Sequence, residues 1–287
     1  MMTVKGALRR ATQYEELNFL FTNRIPRRLA TRFMGWFSRI EQPLVRRASI
    51  AAWRLFCDVD LADARKSRFD SLHDCFVREL EEGARPAVEH PALLASPCDG
   101  IVGACGAIDG DRLLQVKGLS YRLSDLLGDG AHADLYRDGV YATLRLTAGM
   151  YHHFHAPHDI AVEAVTYIYG DTWNVNPIAL KRVERLYCRN ERAAIRARIA
   201  ATGDTITLVP IAAILVAGIR LPFLGSKPLR GPTRTMSART AFRKGEPMGW
   251  FEHGSTIVML APKGFTVHER MAEGARIRAG EPAFRLP

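Results

Sequence analysis

The sequence lacks an apolar stretch long enough to cross a bilayer. Its longest uncharged run, Leu208 to Ile219, is twelve residues and contains Pro210, whereas a spanning helix takes about 20 residues. The run therefore reads as buried strand. No apolar segment follows Met1-Met2-Thr3-Val4-Lys5-Gly6, so no signal peptide is expected. Cysteine is scarce and scattered. Cys57, Cys75, Cys98, Cys105 and Cys188 form neither a CxxC pair nor a zinc-finger spacing, which argues against a disulfide framework and fits thiols in a reducing compartment. There is no internal repeat and no low-complexity tract. Helix-turn-helix, zinc and RNP-like signatures are also missing, so nucleic acid is not an expected partner despite the formal charge of +10.

Acidic residues are nearly absent from the start of the chain. Residues 1–50 hold ten Lys and Arg against three Glu, a local basic excess suited to an anionic surface. Residues 14–56 read as amphipathic helix. Leu29, Phe33, Trp36, Phe37 and Ile40 recur at helical spacing among Arg28, Arg32 and Arg39. A second stretch, 43–56, sets Leu44, Ile50, Trp53 and Leu55 beside Arg46, Arg47 and Arg54. Apolar and aromatic groups on one face with arginine on the other describe helices lying at a membrane interface. A helical hairpin packed on its own domain, with its basic face in water, is the alternative.

Residues 64–90 read as a polar helix and linker. From about residue 93 the texture changes to short apolar or β-branched runs cut by Gly, Asp and Pro. Strands are expected over 100–106, 140–146, 161–169, 194–200, 205–219 and 256–260, and one helix over 119–127. The expected fold is α+β: residues 1–60 form a basic helical membrane-docking region, and residues 61–287 a strand-rich catalytic domain.

Four segments carry candidate chemistry. In Gly254-Ser255-Thr256 an unhindered carbonyl stands next to a hydroxyl, so Ser255 Oγ could attack the Gly254 carbonyl and convert the amide to an ester. Ser96-Pro97-Cys98-Asp99-Gly100 ends in an Asp-Gly step, which on its own usually marks a turn. Four histidines fall within residues 152–158, but no Cys or Glu cluster completes a metal site, so no metal is expected and an imidazole base is the better use. Trp173-Asn174-Val175-Asn176-Pro177 and Asn190-Glu191-Arg192 set polar groups between apolar strands. Asp, His and Ser together suggest an oriented base and a nucleophile, although Ser255 lacks the Gly-x-Ser-x-Gly elbow of many serine hydrolases.

Taken in order, these segments resemble the phosphatidylserine decarboxylases over roughly residues 60–265. Ser96-Pro97-Cys98-Asp99-Gly100 is similar to that family's SPxDG. Gln115-Val116-Lys117-Gly118 with Tyr121 and Leu126-Leu127-Gly128 is similar to its KG…Y…LLG. Tyr151-His152-His153-Phe154-His155-Ala156-Pro157 matches YHRxHxP with His153 in place of Arg. Val175-Asn176-Pro177, Asn190-Glu191-Arg192 and Lys244-Gly245-Glu246 through Gly254-Ser255-Thr256 complete the set. Val216-Ala217-Gly218-Ile219 and His253 depart from the family pattern.

The resemblance implies a proenzyme in which His155, oriented by Asp99, acts as base on Ser255. Cleavage between Gly254 and Ser255 would leave a β-chain of residues 1–254 and an α-chain of 255–287, associated as a heterodimer and open to further dimerisation. Elimination and hydration would turn Ser255 into a pyruvoyl group, replacing pyridoxal phosphate. A Schiff base with that group would decarboxylate phosphatidylserine to phosphatidylethanolamine. His152 would position substrate or donate a proton, and Lys117, Tyr121 and Asn176 would contact its anionic groups. The enzyme would sit peripherally on the cytoplasmic face of the membrane. A pyruvoyl decarboxylase of a related lipid head group or free amino acid, an ordinary serine hydrolase and an inactive lipid-binding homologue are the competing readings.

Overall fold

The computed structural model describes residues 19, 26–214, 218–252 and 255–287. The expected helix over 14–18 and 20–25, the Val216-Ala217 departure, His253 and Gly254 lie outside the described residues.

Eight strands build the main sheet: β1 Gly100–Ala107, β2 Val140–Leu146, β3 Ile160–Ile168, β4 Arg192–Ile199, β5 Thr205–Ala212, β6 Arg234–Phe242, β7 Ser255–Ala261 and β8 Arg276–Ile277. Their spatial order is β6-β3-β4-β5-β7-β2-β1-β8, and every pairing is antiparallel. Position in the sheet explains the sequence texture. Edge strand β6 alternates exposed with covered residues, while β7 is buried along its whole length. A strand paired on both sides and covered on both faces has no polar side to show, hence the continuous run Ile257-Val258-Met259-Leu260.

A smaller sheet turns the corner into β7. Its strands Ile219–Arg220 and His153–His155 flank Pro247–Phe251. The Phe251 N–H donates to the His152 carbonyl at 3.1 Å. Four residues later the chain enters β7 at Ser255.

The two amphipathic stretches are helices α1, Arg27–Phe37, and α2, Pro43–Phe56. Pro43 occupies the first turn of α2, where its missing N–H is harmless, and Gln42 Oε1 accepts from Val45 N at 2.8 Å. Both helices dock on the body. Arg27 forms a two-pronged pair with Asp171 (3.2 and 2.6 Å) and covers the Trp173 ring at 3.8 Å. Arg39, just past α1, reaches Glu252 at 3.1 Å. Leu29, Phe33 and Trp36 of α1, and Leu44, Leu55 and Phe56 of α2, remain exposed.

Three expectations need correcting. The strand expected over 205–219 ends at Ala212, and Ile219–Arg220 belongs to the smaller sheet, because the chain must leave the main sheet to pair with Trp250 and Phe251. Residues 64–90 are mostly turns, and their one α-helix is α3, Leu72–Phe76. The path is held by Arg78, whose guanidinium donates to the carbonyls of Cys75, Asp60 and Gly149; those side-chain bonds replace a helical ladder. The expected helix over 119–127 begins only at Leu123. Residues Leu119–Arg122 pair instead with Arg112–Val116 as a hairpin, because a strand neighbour is available to them.

Gly249 marks a tight strand crossing. A Cβ there would collide with the Arg220 carbonyl oxygen and crowd the Phe154 ring. Gly249→Ala is expected to destabilise the protein by about 1–3 kcal/mol, the usual cost of overpacking, read as a lowered midpoint in thermal unfolding.

Candidate active site around Ser255

Ser255 opens β7, paired with Leu146 of β2 on one side and Ala212 of β5 on the other. Its backbone is thus tied into the middle of the main sheet. The side chain is fully buried, and Oγ has no hydrogen-bond partner among the described residues. Leaving such a group unsatisfied costs about 1–3 kcal/mol. The residue faces a cavity of about 410 Å³. Met34 of α1 and Trp53 of α2 form part of its wall, with Phe76, Arg145 and Asn176. One residue from each amphipathic helix therefore belongs to the wall of the cavity that Ser255 faces.

Asp99 and His155 belong to one neighbourhood. The His155 N–H donates to the Pro97 carbonyl at 2.7 Å, which ties the Ser-Pro-Cys-Asp segment to the histidine strand. Asp99 is held by a bidentate pair with Arg85, both bonds 2.8 Å, and by the Ala279 N–H at 2.9 Å. His155 Nδ1 lies 2.8 Å from the Gly245 carbonyl and Nε2 3.1 Å from the Tyr151 hydroxyl. A carbonyl only accepts, so Nδ1 carries the proton and Nε2 receives the Tyr151 O–H. Burial pushes the His155 pKa down, partly opposed by the Gly245 hydrogen bond and by the charge of Asp99. The ring is thus a neutral base in a fixed tautomer, with Gly245 doing the orienting.

No hydrogen bond joins Asp99 to His155 or His155 to Ser255. His155 lines a second, more polar cavity of about 890 Å³ with Arg85, Tyr151, His153 and Glu246, while Ser255 lines the first. His153 and His155 share that side, as strand alternation requires. His153 Nε2 donates to the Val77 carbonyl at 2.9 Å, and its ring stacks between Tyr151 and Trp250. His152 is turned away and fully buried. Its ring lies 4.0 Å from that of Phe76, which in turn packs against Trp53 of α2. This aromatic column connects His152 to the wall of the Ser255 cavity.

The remaining candidates separate. Asn176 lines the Ser255 cavity and caps helix Pro177–Arg182 through Oδ1, which accepts from Ala179 N at 2.8 Å. Lys117 is exposed at a hairpin turn. Tyr121 is buried in the core, edge-on to Tyr187. Neither lines that cavity. Two motif side chains turn out to hold the scaffold. Asn190 bonds Trp173 twice and the Ala212 carbonyl once, fixing the Asn174–Asn176 loop to the strand beside Ser255. Gln115 donates to the Leu180 and Val183 carbonyls and accepts from Leu186 N. Arg85 and Arg145 were not singled out from sequence. Arg145 had one signal, a lone cation inside the apolar run 140–146. Among the described residues, no group of three His, Cys, Asp or Glu is placed to hold a metal ion.

The buried histidines set an acid limit. Burial lowers His153 and His132 from 6.5 to about 4. Between those values the unfolded chain binds protons that the folded chain refuses, so stability is full above the unfolded pKa and falls as pH drops. The slope is about 1.4 kcal/mol per pH unit for each such group. Chemical denaturation at pH 7.5 and 5.5 should show this loss, and a flat profile would mean that both rings charge freely in the native state.

A family model described as phosphatidylserine decarboxylase matches residues 72–285. The phosphatidylserine decarboxylase proenzyme of Vibrio cholerae is 33% identical over 275 residues, covering 90% of this chain and 94% of the relative. That of Anaeromyxobacter is 32% identical over 278 residues, with 90% and 94% covered. That of Haemophilus influenzae is 30% identical over 257 residues, with 86% and 88% covered. A family model spanning residues 72–285, with relatives at 30–33% identity matched through nearly the whole of both chains, shows that the chain belongs to the phosphatidylserine decarboxylase family.

Proposed function

We propose that the chain is a proenzyme that severs itself between Gly254 and Ser255 and then decarboxylates phosphatidylserine to phosphatidylethanolamine, using a pyruvoyl group made from Ser255. The carrying observation is the buried Ser255 Oγ, without a hydrogen-bond partner among the described residues, at the head of a central strand and facing a mostly apolar cavity. In the proposed cut, Oγ attacks the Gly254 carbonyl and its proton passes to a base. The resulting ester is eliminated, and hydration with loss of ammonia leaves the pyruvoyl group and a free Gly254 carboxylate. A hydroxyl consumed in this way needs no lasting partner. When formed, the pyruvoyl carbonyl supplies the electrophile for the substrate amine and the sink for the electron pair released with CO₂.

His155 is the proposed base. It is neutral, its Nε2 is the accepting nitrogen, and the charge of Asp99 favours the imidazolium as a proton arrives. To serve Ser255 it must exchange the Tyr151 hydroxyl for Oγ, so processing includes a local rearrangement. His152, behind Phe76, is proposed to position substrate or supply a proton during decarboxylation. Asn176 is kept as a substrate contact. Lys117 and Tyr121 are left out because they do not line the cavity.

No helix among the described residues is long and apolar enough to span a membrane. We place the protein on the cytoplasmic face of the membrane, with Phe33, Trp36, Leu44 and Phe56 entering the interface of an anionic leaflet. Each arginine near such a leaflet contributes about 1 kcal/mol. This orientation brings the lipid head group to the cavity walled by α1 and α2.

Intact-mass measurement of active protein should give two chains, 1–254 and 255–287, with a carbonyl-trapping amine adding only to the shorter. Ser255→Ala and His155→Ala should remain as one inactive chain, whereas His152→Ala should still be cut but lose activity. Cleavage in Ser255→Ala would place the reactive hydroxyl elsewhere. Separately, Phe33→Ser with Trp36→Ser should weaken sedimentation with anionic liposomes about tenfold or more, since each buried aromatic contributes about 1.5–3 kcal/mol. Unchanged binding would move the docking role to another surface.

A further inference from the structure

Arg145 is the one charged residue among the described residues lining the Ser255 cavity, and no Asp or Glu lines it. It is half-buried near the end of β2, paired with Thr256, the residue after Ser255. The guanidinium groups of three other covered arginines are engaged by protein oxygens, although Arg78 Nε is left over. Arg78 donates to three carbonyls, Arg85 to two carboxylates and a carbonyl, and Arg192 to four carbonyls. The Arg145 guanidinium makes no hydrogen bond or ion pair with any described residue. Its electrostatic neighbour is the phenol of Tyr187, and burial works against its charge. A guanidinium does not deprotonate to escape that cost, so the site is short of one anion.

We infer that Arg145 binds the phosphodiester of the substrate's glycerophosphoserine head group. This rests on the decarboxylase reading above. The head group carries two anions, and the chemistry distinguishes them. The carboxylate leaves as neutral CO₂ when its carbon–carbon bond breaks and the electron pair stays behind. A cation paired with it would stabilise the ground state more than the transition state and slow the reaction. The phosphate keeps its charge throughout, so a cation there helps binding and leaves the barrier unchanged. The planar fork of arginine also matches two phosphate oxygens. The apolar lining from Leu146, Val175, Ile214 and Phe76 leaves the carboxylate poorly solvated, which favours its departure.

The test uses the full-length wild type and Arg145→Gln. Binding is measured for glycerophosphoethanolamine, which has the phosphate and no carboxylate, and for free serine, which has the reverse. Arg145→Gln should weaken glycerophosphoethanolamine about tenfold or more, the scale of one charge-assisted pair, and leave serine unchanged. KM for phosphatidylserine in detergent micelles should rise by a similar factor, with kcat within about twofold. Unchanged glycerophosphoethanolamine binding, or a loss confined to serine or to kcat, overturns the inference. A second readout needs no variant: glycerophosphoethanolamine should protect Arg145 of the wild type from phenylglyoxal, read on the peptide by mass, and serine should not. Equal labelling with and without the phosphodiester also overturns it. Release of CO₂ without protection sinks this inference alone, and protection without CO₂ release sinks the decarboxylase reading alone.

Discussion

Everything at the candidate site depends on the double pairing of one strand. β7 is clamped between β2 and β5, and its first residue is Ser255. The ladder fixes the position of the hydroxyl to within the tolerance of strand geometry, and burial denies it water. The sheet thereby holds a side chain whose own local energetics are unfavourable. The same clamp answers a question raised by the proposed cut. A fragment beginning at Ser255 would contain β7, whose pairing with both neighbours continues from Thr256 to Leu260, beyond the severed peptide. The short chain would therefore stay in place, held by a buried apolar strand and by β8 against β1.

Charge is distributed so that one group is left open. Asp99 is neutralised by Arg85, and the buried Glu252 accepts from Arg220 at 2.7 Å and Arg39 at 3.1 Å. These pairs also position structure: Arg39 anchors the end of α1, while Asp99 draws Arg85 toward the histidine strand. Breaking a buried pair from one side leaves an uncompensated charge, which is more costly than never having built it. Arg145 has no such internal answer, in a cavity whose other described lining is uncharged.

The N-terminal helices serve two surfaces at once. Inward, Met34 and Trp53 wall the Ser255 cavity; outward, six large apolar side chains stand in the open. Their amphipathic pattern had two readings, a membrane face or a face packed on the protein. The structure seats part of each helix on the protein, and the exposed apolar side chains are what the proposed membrane contact rests on.

Local chemistry decided a good deal in advance. Short apolar runs rich in β-branched residues favour buried strand, so 140–146 and 256–260 were legible within a residue or so, as were the basic helices α1 and α2; the Ser255, Asp99 and His155 segments stood out as candidates by their chemistry. Where local pattern was weak, partners elsewhere in the chain decided: Leu119–Arg122 became strand through its hairpin mate, and 64–90 follows the carbonyls gathered by Arg78. Tertiary structure alone sorted which polar side chains meet which cavity. It sent Tyr121 into the core and Lys117 into solvent, gave His155 to Gly245 and Tyr151, and brought Arg145 to the cavity of Ser255. Sequence states what chemistry a side chain can perform, but its partners are set by contacts between distant segments.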